Sequence, residues 1–191
     1  MSRGIIVFGA SGAGTTTIGK ELANIMGFKH FDLDDYYWSW DAAVPYTVPR
    51  PKSERIEMLK KDILECTYFV LSGSMCGWDN TFVSLLDLAV FVQASTDIRI
   101  ERLRKRELNE FGNRISEGGD MYKNHIDFLE WAKTYDTASP PERCLQLHEE
   151  WSAKLPCPVL QVSGMDDVSA NAKFIMESFS PMLPDELDEL F

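Results

Sequence analysis

Between Gly9 and Thr17 the chain reads Gly-Ala-Ser-Gly-Ala-Gly-Thr-Thr-Thr. Glycines at this spacing let successive backbone N–H groups turn inward on one point, which is what a bound phosphate requires. A helix beginning directly afterwards adds the positive end of its dipole. The frame is Gly9, four residues, Gly14, one residue, then Thr16, whose hydroxyl stands where such loops offer an oxygen to Mg²⁺. Gly9, Ala10, Ser11, Gly12, Ala13, Gly14, Thr15, Thr16 and Thr17 are therefore the expected nucleotide-phosphate contacts. There is one departure. Loops of this frame carry a lysine at the position of Thr15, and a hydroxyl donates a hydrogen bond without bringing charge. The compensating charge must come from elsewhere. A turn of purely structural use is the alternative, and the strand, loop and helix in immediate succession argue against it.

Acidic and basic groups follow in suggestive places. Asp32, Asp34 and Asp35 close a short expected strand over 29–33. In an extended chain Asp32 and Asp34 point the same way, because side chains alternate with period two. Two such carboxylates hold Mg²⁺ or take a proton from an acceptor hydroxyl; a solvated turn cluster is the plainer reading. The next expected strand ends in Ser72-Gly73-Ser74, without the Asp that many phosphate-loop proteins place there for Mg²⁺, which strengthens the case for Asp32. Arg99, Arg102 and Arg106 share one face of an expected helix by their three-and-four spacing. Guanidinium forks match phosphate oxygens, so Arg102, Arg106 and, further along, Arg114 are candidates to replace the missing lysine's charge. Arg50 and Arg55 are candidates to hold a phosphate of the acceptor, with a plain surface role as the alternative. The histidines (His30, His125, His148) and cysteines (Cys66, Cys76, Cys144, Cys157) show no metal-ligand spacing.

The elements that must position these groups alternate. The apolar run Ile5-Ile6-Val7-Phe8 suits a strand buried on both faces of a parallel sheet. A helix from Thr15 closes at Gly27, with Ile18, Leu22 and Ile25 on one face. Prolines 45, 49 and 51 mark a loop, and Ser53 is the expected cap of the following helix. Further strands are expected over 68–71, 88–92 and 159–162, with helices over 96–108, about 122–135 and 168–179. Alternating strands and helices predict a three-layer α/β fold with a parallel sheet, whose ligands sit beyond the carboxyl ends of the strands.

Composition bounds the rest. The chain has 191 residues and a formal net charge of −11, suiting one domain. Such a surface repels nucleic acid and anionic membranes. No apolar run approaches the roughly 20 residues that span a bilayer, so a cytoplasmic protein with reduced thiols is expected.

The loop, the acidic pair and the basic helix over 101–107 together resemble the adenylate-kinase and shikimate-kinase group of P-loop small-molecule kinases. The Gly-Ala-Gly-Thr-Thr-Thr run is similar to that of archaeal-type cytidylate kinases, which also carry Thr at the lysine position. The resemblance implies the P-loop NTPase fold, a five-stranded parallel sheet with the loop's strand central, and a helical lid. It also implies ATP and Mg²⁺ as ligands and phosphoryl transfer to a small-molecule acceptor, by a monomer or homodimer. By the same resemblance Asp32 serves the metal side and Asp34 the acceptor side. Arg102 packs on adenine, Arg106 reaches phosphate, and Arg50, Arg55, Gly73 and Ser74 border the acceptor. The expected organisation is a single domain over 1–180, with an acceptor-binding insertion over about 36–65 and a lid over about 107–153. An acidic tail, 181–191, follows. Whether the acceptor offers a hydroxyl or a nucleoside monophosphate stays open, and the alternative to an enzyme is a non-catalytic ATP-binding module, which Thr15 favours.

Overall fold

The structure, a computed structural model, describes residues 2–179; the expected acidic tail lies outside them. Five strands, β1 (Arg3–Gly9), β2 (Lys29–Asp32), β3 (Tyr68–Ser72), β4 (Leu86–Gln93) and β5 (Val159–Ser163), form one parallel sheet in the order β2-β3-β1-β4-β5. Around it lie α1 (Thr15–Met26), α2 (Leu33–Tyr37), α3 (Lys52–Leu64), α4 (Thr96–Phe111), α5 (Tyr122–Lys133), α6 (Leu145–Ser152) and α7 (Val168–Phe179). This is the expected three-layer α/β architecture. Among the described residues, no helix is long and apolar enough to cross a membrane.

Strand β1 is central because its side chains are apolar on both faces. Ile5 and Val7 enter one core with Ile18 and Leu22 of α1 and Ala172 and Ile175 of α7. Ile6 and Phe8 enter the other with Leu59 and Ile63 of α3. All four β1 side chains are wholly buried, each worth roughly 1.5–3 kcal/mol against exposure.

Three expectations change. The acidic segment is not extended: the chain turns into α2 at Leu33, and Asp32 caps that helix, its Oδ1 accepting from the Asp34 N–H at 3.1 Å. Asp32 and Asp34 are therefore related by a helical cap and not by strand alternation. The start of α3 lies at Lys52, with Pro51 in the capping position in place of Ser53. Proline's fixed φ and absent N–H suit a helix start. Finally, the excursion after α4 ends in a further helix, α6, which the sequence reading did not separate. It lays Trp151 on Phe8, edge to face at 5.0 Å, and so covers the sheet.

Helix α4 divides the three same-face arginines. Arg99 is fully buried and pairs with Asp136 at 2.8 Å. It also donates to the carbonyls of Ala94 and Ala132, which ties α5 to the start of α4. Arg102 and Arg106, farther along, are exposed. Arg99→Ala leaves a cavity and two orphaned carbonyls, so it should cost at least ~2 kcal/mol in urea unfolding. Arg102→Ala and Arg106→Ala should stay within about 0.5 kcal/mol of wild type. Equal costs at all three positions would contradict this division.

Candidate active site

The loop leaves β1 at Gly9 and lies against the first turn of α4. Gly12 has φ +82°, and a Cβ there would stand 2.6 Å from the Arg99 carbonyl oxygen. A side chain would be both strained and displaced by backbone, so glycine is required at this point. Helix α1 begins immediately at Thr15 with no side-chain cap, leaving the N–H groups of its first turn free to meet an anion.

Thr16 Oγ1 donates to Asp32 Oδ2 at 2.8 Å. The expected metal pair is thus adjacent, supplied by the first turn of α1 and the end of β2. A hydroxyl and a carboxylate are hard oxygen donors of the kind Mg²⁺ takes, with water and substrate phosphates completing its shell. Asp34 lies in the first turn of α2. Its side chain is open to solvent on one side but has protein around the rest. Burial, with Asp32 next, raises its pKa above the ordinary carboxylate range, while Arg143 and Arg106 oppose the shift. Asp35 is raised by the same two causes.

The expected arginines separate into those free to meet a ligand and those already engaged. Arg102 reaches the loop, its Nη1 3.4 Å from the Ala13 oxygen. Arg106 is near enough to influence both Asp34 and Tyr46. Neither has a carboxylate in ion-pair range among the described residues. Arg114 instead pairs with Asp120 at 2.7 Å and also bonds the Ala43 carbonyl. Arg50 staples the 38–50 loop to α2 through the carbonyls of Asp35 and Tyr36, with Glu54 at 3.6 Å. Arg55 is different again. It is 7% exposed, sandwiched between Tyr37 (4.4 Å) and Trp78 (4.9 Å), and bonded to the Gly77 carbonyl. Among the described residues its Nε has no partner. A buried guanidinium donor without an acceptor is costly unless an anion meets it.

Gly73 (φ +114°) ends β3, where a Cβ would press on Leu33 at 3.1 Å, so the turn itself already calls for glycine. Ser74 hydrogen-bonds His148 Nε2 at 2.8 Å, and His148 Nδ1 meets the Tyr135 hydroxyl at 2.6 Å. Burial pushes the His148 pKa down to about 3, so the ring is neutral. Tyr135 is buried, and the arrangement that pairs its proton has the phenol donating to Nδ1 and Nε2–H donating to Ser74. The Ser74 oxygen also accepts from the Cys76 N–H, leaving its own proton free for an acceptor atom in the cleft.

Two contributors escaped the sequence reading. His148 looked ordinary because its partners, Ser74 and Tyr135, are remote or on another element. Arg143 was not considered at all, yet its Nη2 donates to Ser11 Oγ of the loop at 2.7 Å, from 132 residues away. Only its position as a lone basic residue beside Pro-Pro in an acidic stretch hinted at it. A concavity of about 550 Å³, lined by Gln93, Ser95, Asp136, Gln161 and Ser163, lies beside the loop and touches it only at Ala10. A phosphate cradle made of backbone is shallow, so cavity volume does not locate it.

The His148 shift has a consequence for stability. Its folded pKa lies below the unfolded value near 6.5, so its contribution is full above that pH and is lost as the pH falls toward 3. The slope is up to roughly 1.4 kcal/mol per pH unit for one proton. In His148→Gln, melting temperature should fall less steeply than in wild type between pH 6 and 4; an unchanged slope would show that the ring titrates as if exposed.

Known proteins bear on this geometry. A 42% identical relative, "Uncharacterized protein YqaC" of Bacillus subtilis (strain 168), aligns over 91% of this chain and 94% of its own. The cytidylate kinase of Archaeoglobus fulgidus is 31% identical over 54% of this chain. The chain spans 61% of that enzyme's length and 45% of that of a Brevibacillus brevis uridine kinase. The shikimate kinase structure from Bacteroides thetaiotaomicron superposes with a TM-score of 0.50 at 16% identity, covering 93% of this chain and 98% of that one; this likeness is one of fold. The AAA_18 profile, described as an AAA domain, matches residues 5–123. With the phosphate loop, β2's acidic end and α4 all inside that match, the chain belongs to the AAA_18 family of P-loop domains.

Proposed function

We propose that this protein is an ATP-dependent kinase that phosphorylates a hydroxyl group on a small acceptor bearing an anionic group. The observation that carries the reading is Asp34, a carboxylate with a raised pKa one helical cap away from the Thr16–Asp32 pair. A phosphate acceptor needs no base, and a carboxylate beside it would repel it. A hydroxyl acceptor needs a proton acceptor, and a carboxylate made more basic by its surroundings serves that need.

In this mechanism the loop's backbone and the N-terminus of α1 hold the phosphates of ATP. Thr16 and Asp32 would hold Mg²⁺, which supplies charge neutralisation at the phosphates. Arg102 lies against the loop on the nucleotide side, and Arg106 faces the acceptor side. Asp34 takes the acceptor's proton as its oxygen bonds to the γ-phosphorus. The bond from that phosphorus to the β,γ-bridging oxygen breaks, and ADP leaves. The free donor of Ser74 and the unpaired Nε of Arg55 orient the acceptor, the latter by its anion. Tyr37, which stacks on Arg55, together with Trp38, Trp40 and Tyr46, walls this side with aromatic rings. Arg55 by itself would equally suit a nucleoside monophosphate, which makes that the second reading.

The test is ADP release from Mg·ATP with a panel of hydroxy acids, sugars, nucleosides and nucleoside monophosphates. A hydroxyl acceptor should stimulate turnover, and Asp34→Asn should lower it by about 10²–10⁴-fold. Because the carboxylate's pKa is raised, the same substitution should increase melting temperature more at pH 8 than at pH 4. Stimulation by monophosphates alone, with Asp34→Asn still active, would favour the second reading. ATP binding without turnover on any acceptor would favour a non-catalytic module.

A further inference from the structure

The phosphate loop has no charge of its own. Thr15 stands at the lysine position, and Lys20, on the next turn of α1, has its charge felt at His30 and Asp35. Four phosphate charges in ATP need more than backbone dipoles and one metal ion.

Arg143 meets the loop from outside. Its Nη2 donates to Ser11 Oγ at 2.7 Å, and its guanidinium lies 4.6 Å over the ring of Trp131 on α5. It sits at the start of α6, directly before Cys144, whose sulfur caps that helix by accepting from the Leu147 N–H. The stacking ring, the capped helix start and the Ser11 bond thus hold the guanidinium by three different elements.

What it lacks is an anion. Among the described residues no carboxylate lies within ion-pair distance of Arg143. Asp34 is the largest opposing influence, felt through space by both groups. Surrounding protein burial pushes the guanidinium's pKa down, so the charge is held there at a cost. In a chain of net charge −11, a carboxylate partner would be easy to supply. An arginine anchored by one N–H to the loop, with its remaining donors uncommitted, is arranged for a bidentate anion.

We propose that Arg143 supplies to the bound triphosphate the positive charge that Thr15 does not, acting from the helical insertion in place of a lysine within the loop. This rests on the reading of the loop as an ATP site. It also makes nucleotide binding depend on the docking of α5 and α6. Arg143 bonds Ser11 and its charge is felt at Asp34, so in this reading it acts on both the donor side and the acceptor side.

The experiment measures Mg·ATP and adenosine affinity by calorimetry for wild type, Arg143→Ala, Arg143→Lys, Thr15→Lys and the double variant Arg143→Ala/Thr15→Lys. Arg143→Ala should weaken Mg·ATP by about tenfold to a hundredfold, the range for losing charge-assisted bonds, and leave adenosine unchanged. Thr15→Lys should restore most of that loss in the double variant. Arg143→Lys keeps the charge and should retain binding better than Arg143→Ala, which also covers the case in which the alanine variant does not fold. The proposal is overturned if Arg143→Ala binds Mg·ATP within about twofold of wild type. It is overturned equally if adenosine weakens in parallel, if Thr15→Lys restores nothing, or if Arg143→Lys binds as poorly as a folded Arg143→Ala. Wild type that binds no Mg·ATP would remove the ATP reading itself, and this proposal with it.

Discussion

The site depends on a strand that is apolar on both faces and ends in glycine. Burial of Ile5 and Val7 against α1 and α7, and of Ile6 and Phe8 against the opposite layer, holds β1 at the sheet's centre. Its carboxyl end is then flanked by β3 and β4. From there the loop has one route, between the end of β4 and the first turn of α4. It passes so close to the Arg99 carbonyl that only glycine fits at residue 12. Everything at the site is measured from that loop: Thr16 meets the end of β2, Ala13 meets Arg102, and Ser11 meets Arg143.

Electrostatics then sorts the basic residues. Arg3, Arg50, Arg99 and Arg114 each have a carboxylate partner and serve as fasteners between segments. Arg55, Arg102, Arg106 and Arg143 have none in ion-pair range among the described residues, and they surround the loop and the acidic turn. The second group keeps its donors for something else. The acidic turn shows the complementary pattern, since Asp34 and Asp35 are raised by burial and by Asp32. Opposed charges held close without pairing leave both available to a ligand.

The sequence was most legible where the pattern is local. The loop's frame, the apolar run of β1 and the helix from Thr15 follow from neighbouring residues, and the structure has them where they were expected. Legibility failed where a local rule met a tertiary competitor. The alternation assigned to Asp32 and Asp34 supposed a strand that continued, but Asp32 can cap a helix and Leu33 and Tyr36 gain burial by turning into it. The three-and-four spacing of Arg99, Arg102 and Arg106 was read correctly as one face. Spacing could not say that the first of them is buried under α5 while the others meet solvent and the loop.

Residue types and short spacings determined the fold class, the phosphate loop and its missing charge, because each is a property of consecutive backbone and side chains. That Arg143 also approaches that loop was decided only by tertiary structure. Arg143 reaches Ser11 because α5 packs on α4 and α6 folds back over the sheet, bringing Trp131 to the guanidinium and Trp151 onto Phe8. A contact across 132 residues has no signature in local pattern; it exists because apolar burial in the insertion chose the layer on which that helix lies.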